Sequence, residues 1–341
     1  MRSVVFASVL LFACGSDPGS TSVDATPADA PVLQGTKYSL TWGPLTIPGS
    51  QDPGREGTKC LDLRLSNPTE IKVHQLHNVL FAGSHHLIVY KNDMDTVERT
   101  TPYDCNPFSG ALNASGMVAP MMITQRADDP LFLPDGVGYT LAANQMIRIE
   151  MHYFNTADTP IEATATIEFY EAEPGSVTQE ADILFIGTPD IDIAPNAAAT
   201  VHQFFTPSRA QLDLSQSKFF AITGHTHKMG TQVTVKAGEK GGVQKEVYAP
   251  MPFEYDEPAT TTHQPEFSIP NGQGFDFECK YQNTSSQQLG FGESANDEMC
   301  FFWAYYYPSK GAFVCVHSDD NGGVDICCPG NQLCGLLEGQ L

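Results

Sequence analysis

Apolar and polar positions alternate along this chain in short runs, and almost nowhere recur at helical spacing. "KYSLTWGPLTI" (37–47), "KCLDLRLSN" (59–67), "MIRIEMHYFN" (146–155) and "ATATIEFYEAE" (163–173) read as strands with one face toward a core. "HNVLFAGSHHLIVYKND" (77–93) holds two more strands around Gly83, and "TADTP" (156–160) turns one strand into the next. The style continues in "TVHQFFTP", "KFFAITGHTH", "TQVTVKAGEKGGVQKEVYAP", "FDFECKYQN" and "MCFFWAYYYP". A Pro/Asn/Ser-rich stretch from Thr101 to Ala119 reads as a long loop anchored by Cys105. "PGSVTQEAD" (174–182) is the predicted boundary between two halves, and no repeat of fixed period is present. The expected architecture is all-β: two antiparallel, jelly-roll-like β-sandwich domains, residues 37–175 and 180–341.

Composition sharpens this picture in two ways. Charged residues make up only 17% of the 341, against 29 Gly and 24 Pro, a balance that suits turn-rich β structure. The formal net charge of −22 excludes nucleic acid or an anionic membrane surface as a partner, while leaving small substrates open.

The first residues, "MRSVVFASVLLFAC", combine one Arg, an apolar run and Cys14 in the manner of an export signal, residues 1–14. "LFAC" resembles a bacterial lipoprotein box with Cys14 as the lipidated residue, and residues 15–36 form a polar tether rich in Pro, Ser and Asp. The expected location is the bacterial cell envelope, at the outer membrane, or the periplasm or medium if Cys14 carries no lipid. Any membrane contact is then through the N-terminal anchor alone. Eight further cysteines (Cys60, Cys105, Cys279, Cys300, Cys315, Cys327, Cys328 and Cys334) suit an oxidising compartment. Two lie in the first half, and six crowd the last part of the chain, including a Cys-rich tail from about residue 312. That tail accommodates two local disulfides or a four-cysteine zinc knot. Asp319, Asp320, Asn321 and Asp325 are too irregularly spaced for a calcium loop and read as a solvated acidic turn.

Candidate chemistry lies in the histidines. In "GHTHKMG" (224–230), His225 and His227 leave one face of a strand about 6.5–7 Å apart at their roots, close enough to share an ion. Alone, such a pair is more often the polar face of a half-solvated strand. "SHHLIVY" supplies His85 and His86, "EMHYFN" supplies His152, and "GESANDEMC" places Met299 in a polar loop where a core Met is out of place. Adjacent residues on a regular strand face opposite ways, so His85 and His86 share an ion only if Gly83 and Ser84 introduce a bulge. Three imidazoles suit zinc or copper, whereas two imidazoles and a thioether point to copper. His74, His77, His202, His263 and His317 have no partners by spacing and read as structural.

The ordered set H-H, H-Y-x-N, H-T-H and D-E-M-C resembles the copper type II, ascorbate-dependent monooxygenases, the group of the peptidylglycine α-hydroxylating and dopamine β-monooxygenases. The resemblance runs from about Tyr38 to Pro308, with similar gaps between the ligand groups, and "GFGESANDEMCFFWAYYYP" and "CKYQN" look closest to the dopamine enzyme. It implies two sandwiches facing each other across a cleft, with one copper ion on each. His85, His86 and His152 would hold the electron-supplying copper, and His225, His227 and Met299 the copper that meets oxygen and substrate. It also implies the disulfides Cys60–Cys105 and Cys279–Cys300. The implied activity is hydroxylation of a C–H bond with O2, electrons coming from ascorbate or another external one-electron donor.

The sequence departs from the peptide-hydroxylating members around the expected substrate site. Thr223 stands where they carry an Arg that grips a carboxylate, Phe301 stands where they carry Asn, and Trp303 where they carry Tyr. Thr223, Phe301 and Trp303 are therefore the substrate-pocket candidates, and a small apolar or aromatic substrate is expected, although Phe301 and Trp303 equally suit core packing. The alternative function is a non-catalytic, copper-binding envelope lipoprotein on the same scaffold.

Overall fold

A computed structural model describes residues 35–81, 83–108 and 117–329 of the protein. Cys14, the tether up to residue 34 and Cys334 lie outside the described residues. The N-terminal half contributes β1 (Lys37–Ile47), β2 (Glu56–Arg64), β3 (Ile71–Leu80), β4 (Ser84–Asn92), β5 (Arg99–Asp104) and β6 (Val118–Thr124). It continues with β7 (Asp128–Phe132), β8 (Val137–Leu141), β9 (Met146–Phe154), β10 (Ile161–Glu171) and β11 (Gln179–Glu180). The C-terminal half contributes β12 (Asp182–Thr188), β13 (Asp192–Ile193), β14 (Ala198–Phe205), β15 (Lys218–His225), β16 (Gly230–Gly238) and β17 (Gln244–Tyr248). Its remaining strands are β18 (Thr261–Phe267), β19 (Gly274–Gln282), β20 (Leu289–Gly290), β21 (Cys300–Tyr307), β22 (Phe313–Ser318) and β23 (Val324–Cys328). The described residues contain no α-helix, only two short 3-10 turns, so the chain is all-β.

In the N-terminal half one sheet runs β1-β10-β3-β8-β11, with β7 also on β3, and the second runs β5-β2-β9-β4-β6. In the C-terminal half a sheet β18-β15-β21-β12-β22-β23 accompanies a sheet β14-β19-β16-β17 and the short pair β13-β20. Among the described strands, pairing is antiparallel except for β11 on β8 and β12 on β22. These sheets build the β-sandwich architecture expected from the alternating runs. One expectation changes: part of the predicted loop after Thr101 is strand β5, which pairs with β2 at Lys59–Asp104 and Cys60–Tyr103. A disulfide between Cys60 and Cys105, with Cα atoms 5.9 Å apart, pins that edge to the sheet. An edge position also tolerates Pro102, which has no N–H to give to a ladder.

Strands β9 and β21 are buried on both faces, and they position the site. On β9, Ile147, Ile149, Met151 and Tyr153 enter the apolar core, and Arg148, Glu150 and His152 line the opposite face, also buried. On β21, Cys300, Phe302, Ala304 and Tyr306 pack inside the C-terminal half. Phe301, Trp303 and Tyr305 point the other way, into a core continuous with the N-terminal half. β12 follows the same rule, with Leu184 and Ile186 inward and Ile183 and Phe185 toward the other half. Phe185 stacks on Phe301 (4.8 Å between ring centroids) and meets Phe108 of the N-terminal half at 5.0 Å. At about 1.5–3 kcal/mol for each large apolar side chain taken from water, this shared layer holds the halves face to face.

Candidate metal centre

His85 and His86 sit at the start of β4, and the register there slips: Ser84 pairs with Tyr153, but His86 pairs with His152. His85 is the extra residue of a β-bulge, the distortion that lets adjacent side chains turn toward one site. Gly83 makes it possible by adopting φ 89°. A Cβ at that position would come within 2.3 Å of Ile161 Cδ1. His152, across the ladder on β9, closes the set, its ring 5.0 Å from His86 and 5.3 Å from His85.

His225 ends β15, and His227 lies in the turn before β16, so the H-T-H motif runs off a strand end rather than through a strand interior. Their rings are nonetheless 5.2 Å apart. The turn is held by Glu298, a buried side chain whose two oxygens accept the backbone N–H groups of His227 (3.0 Å) and Met229 (2.8 Å). Burial raises the Glu298 pKa to about 7 despite those donors. His227 Nδ1 donates to the carbonyl of Asp297 at 3.1 Å, and His225 Nδ1 meets Oε1 of Gln125, which comes from the N-terminal half.

These two arrangements converge. Ligand atoms of His85, His86 and His152 lie within 4.8 Å of one another, and so do those of His85, His225 and His227. Across the halves, the ring of His85 is 5.7 Å from His225 and 5.4 Å from His227. The resemblance implies two triads on opposite walls of a cleft, whereas the packed apolar layer brings them into one five-imidazole cluster with His85 common to both. Burial, and then the neighbouring imidazoles, drive the pKa values of His85, His86 and His225 well below the ordinary value. Burial likewise lowers His227 to about 4, against the raising effect of its bond to Asp297. Neutral imidazole is the form that ligates metal.

The buried nitrogen atoms show what the cluster lacks. His85 Nε2, His86 Nε2, His152 Nδ1 and His225 Nε2 are all inaccessible to water and without a hydrogen-bond partner. An unsatisfied buried polar atom costs about 1–3 kcal/mol, so four together make sense as lone pairs kept for a cation. His152 turns its other nitrogen, Nε2, toward Glu56 Oε1 at 3.6 Å. Burial alone would raise the Glu56 pKa, but His152 and the Ala295 N–H (2.7 Å) outweigh it and hold the carboxyl low.

Met299 is buried in the shared core with Trp303, whose ring is 6.2 Å from that of His225. The phenol of Tyr281 donates to its carbonyl at 2.7 Å, and the neighbouring Cys300 is tied to Cys279 with Cα atoms 5.7 Å apart. Of the substrate-pocket candidates, Thr223 is buried and its hydroxyl meets that of Thr260 at 2.8 Å. Phe301 lies within the packed layer, and Trp303 lies next to the cluster with a buried, unpartnered Nε1. In the tail, Cys315 and Cys327 face each other across β22 and β23 and form a disulfide, and Cys328 is disulfide-bonded as well. Asp319 and Asp320 give their backbone N–H groups to Asp190, and Asp325 accepts from His317 and forms an ion pair with Arg209, so the acidic turn is tied into its surroundings. His77, His202 and His263 are hydrogen-bonded outside the cluster, to Glu168 and Asp128, to Asp276, and to the Val247 carbonyl.

Residues 179–324 match the family model described as copper type II ascorbate-dependent monooxygenase, C-terminal domain. This stretch is such a domain. The match contains His225, His227 and Met299, and stops short of His85, His86 and His152. The matched domain supports a copper monooxygenase type of function, and the cluster's donor chemistry fits that metal: neutral imidazoles with free lone pairs, and a thioether in the adjoining core. No curated protein sequence matches the chain. Among solved structures it is similar to the Cowpea mosaic virus top component, a naturally occurring empty particle. That likeness has 10% identity, covers 88% of this chain and 98% of that one, and has a TM-score of 0.37. A second likeness is to the Sulfolobus Turreted Icosahedral Virus structure, with 12% identity, 77% and 58% coverage and a TM-score of 0.22. At such TM-scores neither likeness bears on fold or function.

Three contributors were not evident in the sequence: Gln125, Glu56 and Glu298. Glu298 stands inside the quoted D-E-M-C motif, which was the available signal. Gln125 and Glu56 act across the halves, and nothing local marks them.

Proposed function

We propose that the protein is an exported copper monooxygenase that hydroxylates a C–H bond of a small apolar or aromatic substrate. In the balanced reaction, one oxygen atom of O2 enters the C–H bond and the other leaves as water. Two electrons and two protons are consumed, the electrons coming singly from ascorbate or a donor of that class. Copper bound at the cluster supplies one-electron chemistry, with the imidazoles serving the oxidised ion and the Met299 thioether the reduced one. His85, His86 and His152 would hold one ion, and His225, His227 and Met299 the other. The chain's own part is to keep the imidazoles neutral, to fix the H-T-H turn through Glu298, and to exclude water with the aromatic layer. Trp303, beside His225, and Thr223, in place of a cationic residue, support an apolar substrate. The observation that carries the reading is the five-imidazole cluster with its four buried, unpartnered nitrogens; two of its histidines, His225 and His227, lie inside the family match. The export-type N-terminus and the disulfides support an envelope location, with Cys14 as the lipid anchor.

One observation favours a second reading. His85 serves both triads, and a single ion held for storage or presentation would use such a cluster too. Copper content per chain, with X-ray absorption on the reduced protein, separates the two. Two coppers and a Cu–S component are expected for the monooxygenase. One copper without sulfur, or a preference for zinc, would overturn it in favour of the binding protein.

A further inference from the structure

Gln125 follows β6 in the N-terminal half and is buried, yet both arms of its amide engage the C-terminal half. Its Nε2 donates to the carbonyl of Gly224 at 3.2 Å, and its Oε1 meets His225 Nδ1. The Gly224 carbonyl can only accept, so the amide nitrogen must face it and the amide oxygen must face His225. An amide oxygen can only accept in turn, which requires the proton of His225 to sit on Nδ1. The lone pair is thereby left on Nε2, the very atom that is buried without a partner. One carbonyl in the C-terminal half thus sets, through a side chain of the N-terminal half, which nitrogen of His225 is open to a metal ion.

The surroundings reinforce the connection. Two residues before Gln125, Ile123 bonds the Tyr305 phenol through both its N–H (3.2 Å) and its carbonyl (3.4 Å). That phenol lies on the face of β21 turned toward the N-terminal half. The end of β6 is therefore seated on the C-terminal half at two successive points, and Gln125 is the point that touches a ligand.

We propose that Gln125 is a positioning residue that couples the docking of the two halves to the metal-accepting tautomer of His225. The proposal rests on the copper reading for its consequence, though the tautomer itself can be read without metal. Loss of an outer partner of a metal-bound histidine typically weakens metal affinity about 10–100-fold. The full chain, labelled with 15N-histidine and free of metal, is compared as wild type, Gln125→Leu and Gln125→Glu. The His225 signals are assigned by their loss in His225→Gln. Nitrogen shifts report the tautomer, and competition with a Cu(I) chelator reports affinity.

The expected result is Nδ1-protonated His225 in wild type, loss of that tautomer and at least about tenfold weaker copper in Gln125→Leu, and retention of both in Gln125→Glu. The carboxylate of that variant still accepts from Nδ1–H although it cannot donate to Gly224. Wild-type His225 protonated on Nε2 would overturn the proposal. So would equal copper loss in both variants with the tautomer unchanged, which would mark Gln125 as packing alone. If Gln125→Leu does not fold, the wild-type tautomer and Gln125→Glu still decide. A wild type with the expected tautomer, lost in Gln125→Leu, that takes up no copper would uphold the positioning role and overturn the copper reading instead.

Discussion

His85 and His86 reach the cluster through a bulge, whereas His225 and His227 reach it by running off the end of a strand. The first pair depends on backbone distortion, with Gly83 at φ 89° and a slipped register between Ser84 and His86. The second needs no bulge, because the chain leaves the strand at His225 and its turn brings the His227 ring to 5.2 Å from that of His225, but this turn must be tied down from outside. Glu298, the Asp297 carbonyl and Gln125 do so. Among the described residues no hydrogen bond orients the rings of His85 or His86. One pair is thus fixed by its own main chain and the other by groups borrowed from elsewhere in the chain, and the two should fail in different ways.

The sharpest separation comes from Met299→Ile. Oxygen-dependent turnover should fall by more than about 100-fold, beyond the range for losing an outer partner, while copper stays on His85, His86 and His152. Oxygen consumption together with the Cu–S signal checks this, and surviving turnover would remove Met299 from the site. Gly83→Ala attacks the bulge itself, adding a side chain at a left-handed φ against Ile161. It should cost about 3 kcal/mol by denaturant unfolding, strain and overpacking together. Its copper loss should fall on the N-terminal triad.

Glu298→Gln presents an N–H₂ to one of two backbone N–H groups and should cost about 2 kcal/mol. Here copper affinity should fall at His225 and His227 only. If both variants weakened the same triad, the contrast between the pairs would be lost.

The smallest effect is a control outside the cluster. Burial alone would raise the Glu168 pKa, but hydrogen bonds from Lys37, Tyr170 and His77 outweigh it and hold the carboxyl at about 2. A carboxylate with a depressed pKa adds stability that is complete above its unfolded value of 4.5 and is lost as pH falls through about 2. Glu168→Gln should flatten the acid limb of a melting-temperature profile in that window and leave copper binding unchanged.

Much of this was readable from the chain. "KYSLTWGPLTI" is β1 residue for residue, because exposed and more buried positions alternate along it, with one slip of register between Trp42 and Leu45. The bulge at Gly83 and Ser84 was required by two adjacent histidines once they were asked to share an ion. The meeting of the triads at His85 was not readable, since it depends on how the halves dock. Its one trace is "CFFWAYYY" (300–307), an unbroken apolar run that signals a strand buried on both faces. Gln125 left no trace at all. Its role arises from a carbonyl and an imidazole 99 and 100 residues away in sequence.

Strand β21, with each face committed to a different core, makes the two halves poor candidates for separate lives. A gene fragment encoding only residues after Asp182 would release a protein with Phe185, Phe301, Trp303 and Tyr305 open to water. Such a sticky face invites self-association and proteolysis. Recombination that swaps one half for a relative's must therefore bring a matching aromatic face with it, and inheritance of the pair as a unit follows from packing before catalysis is considered.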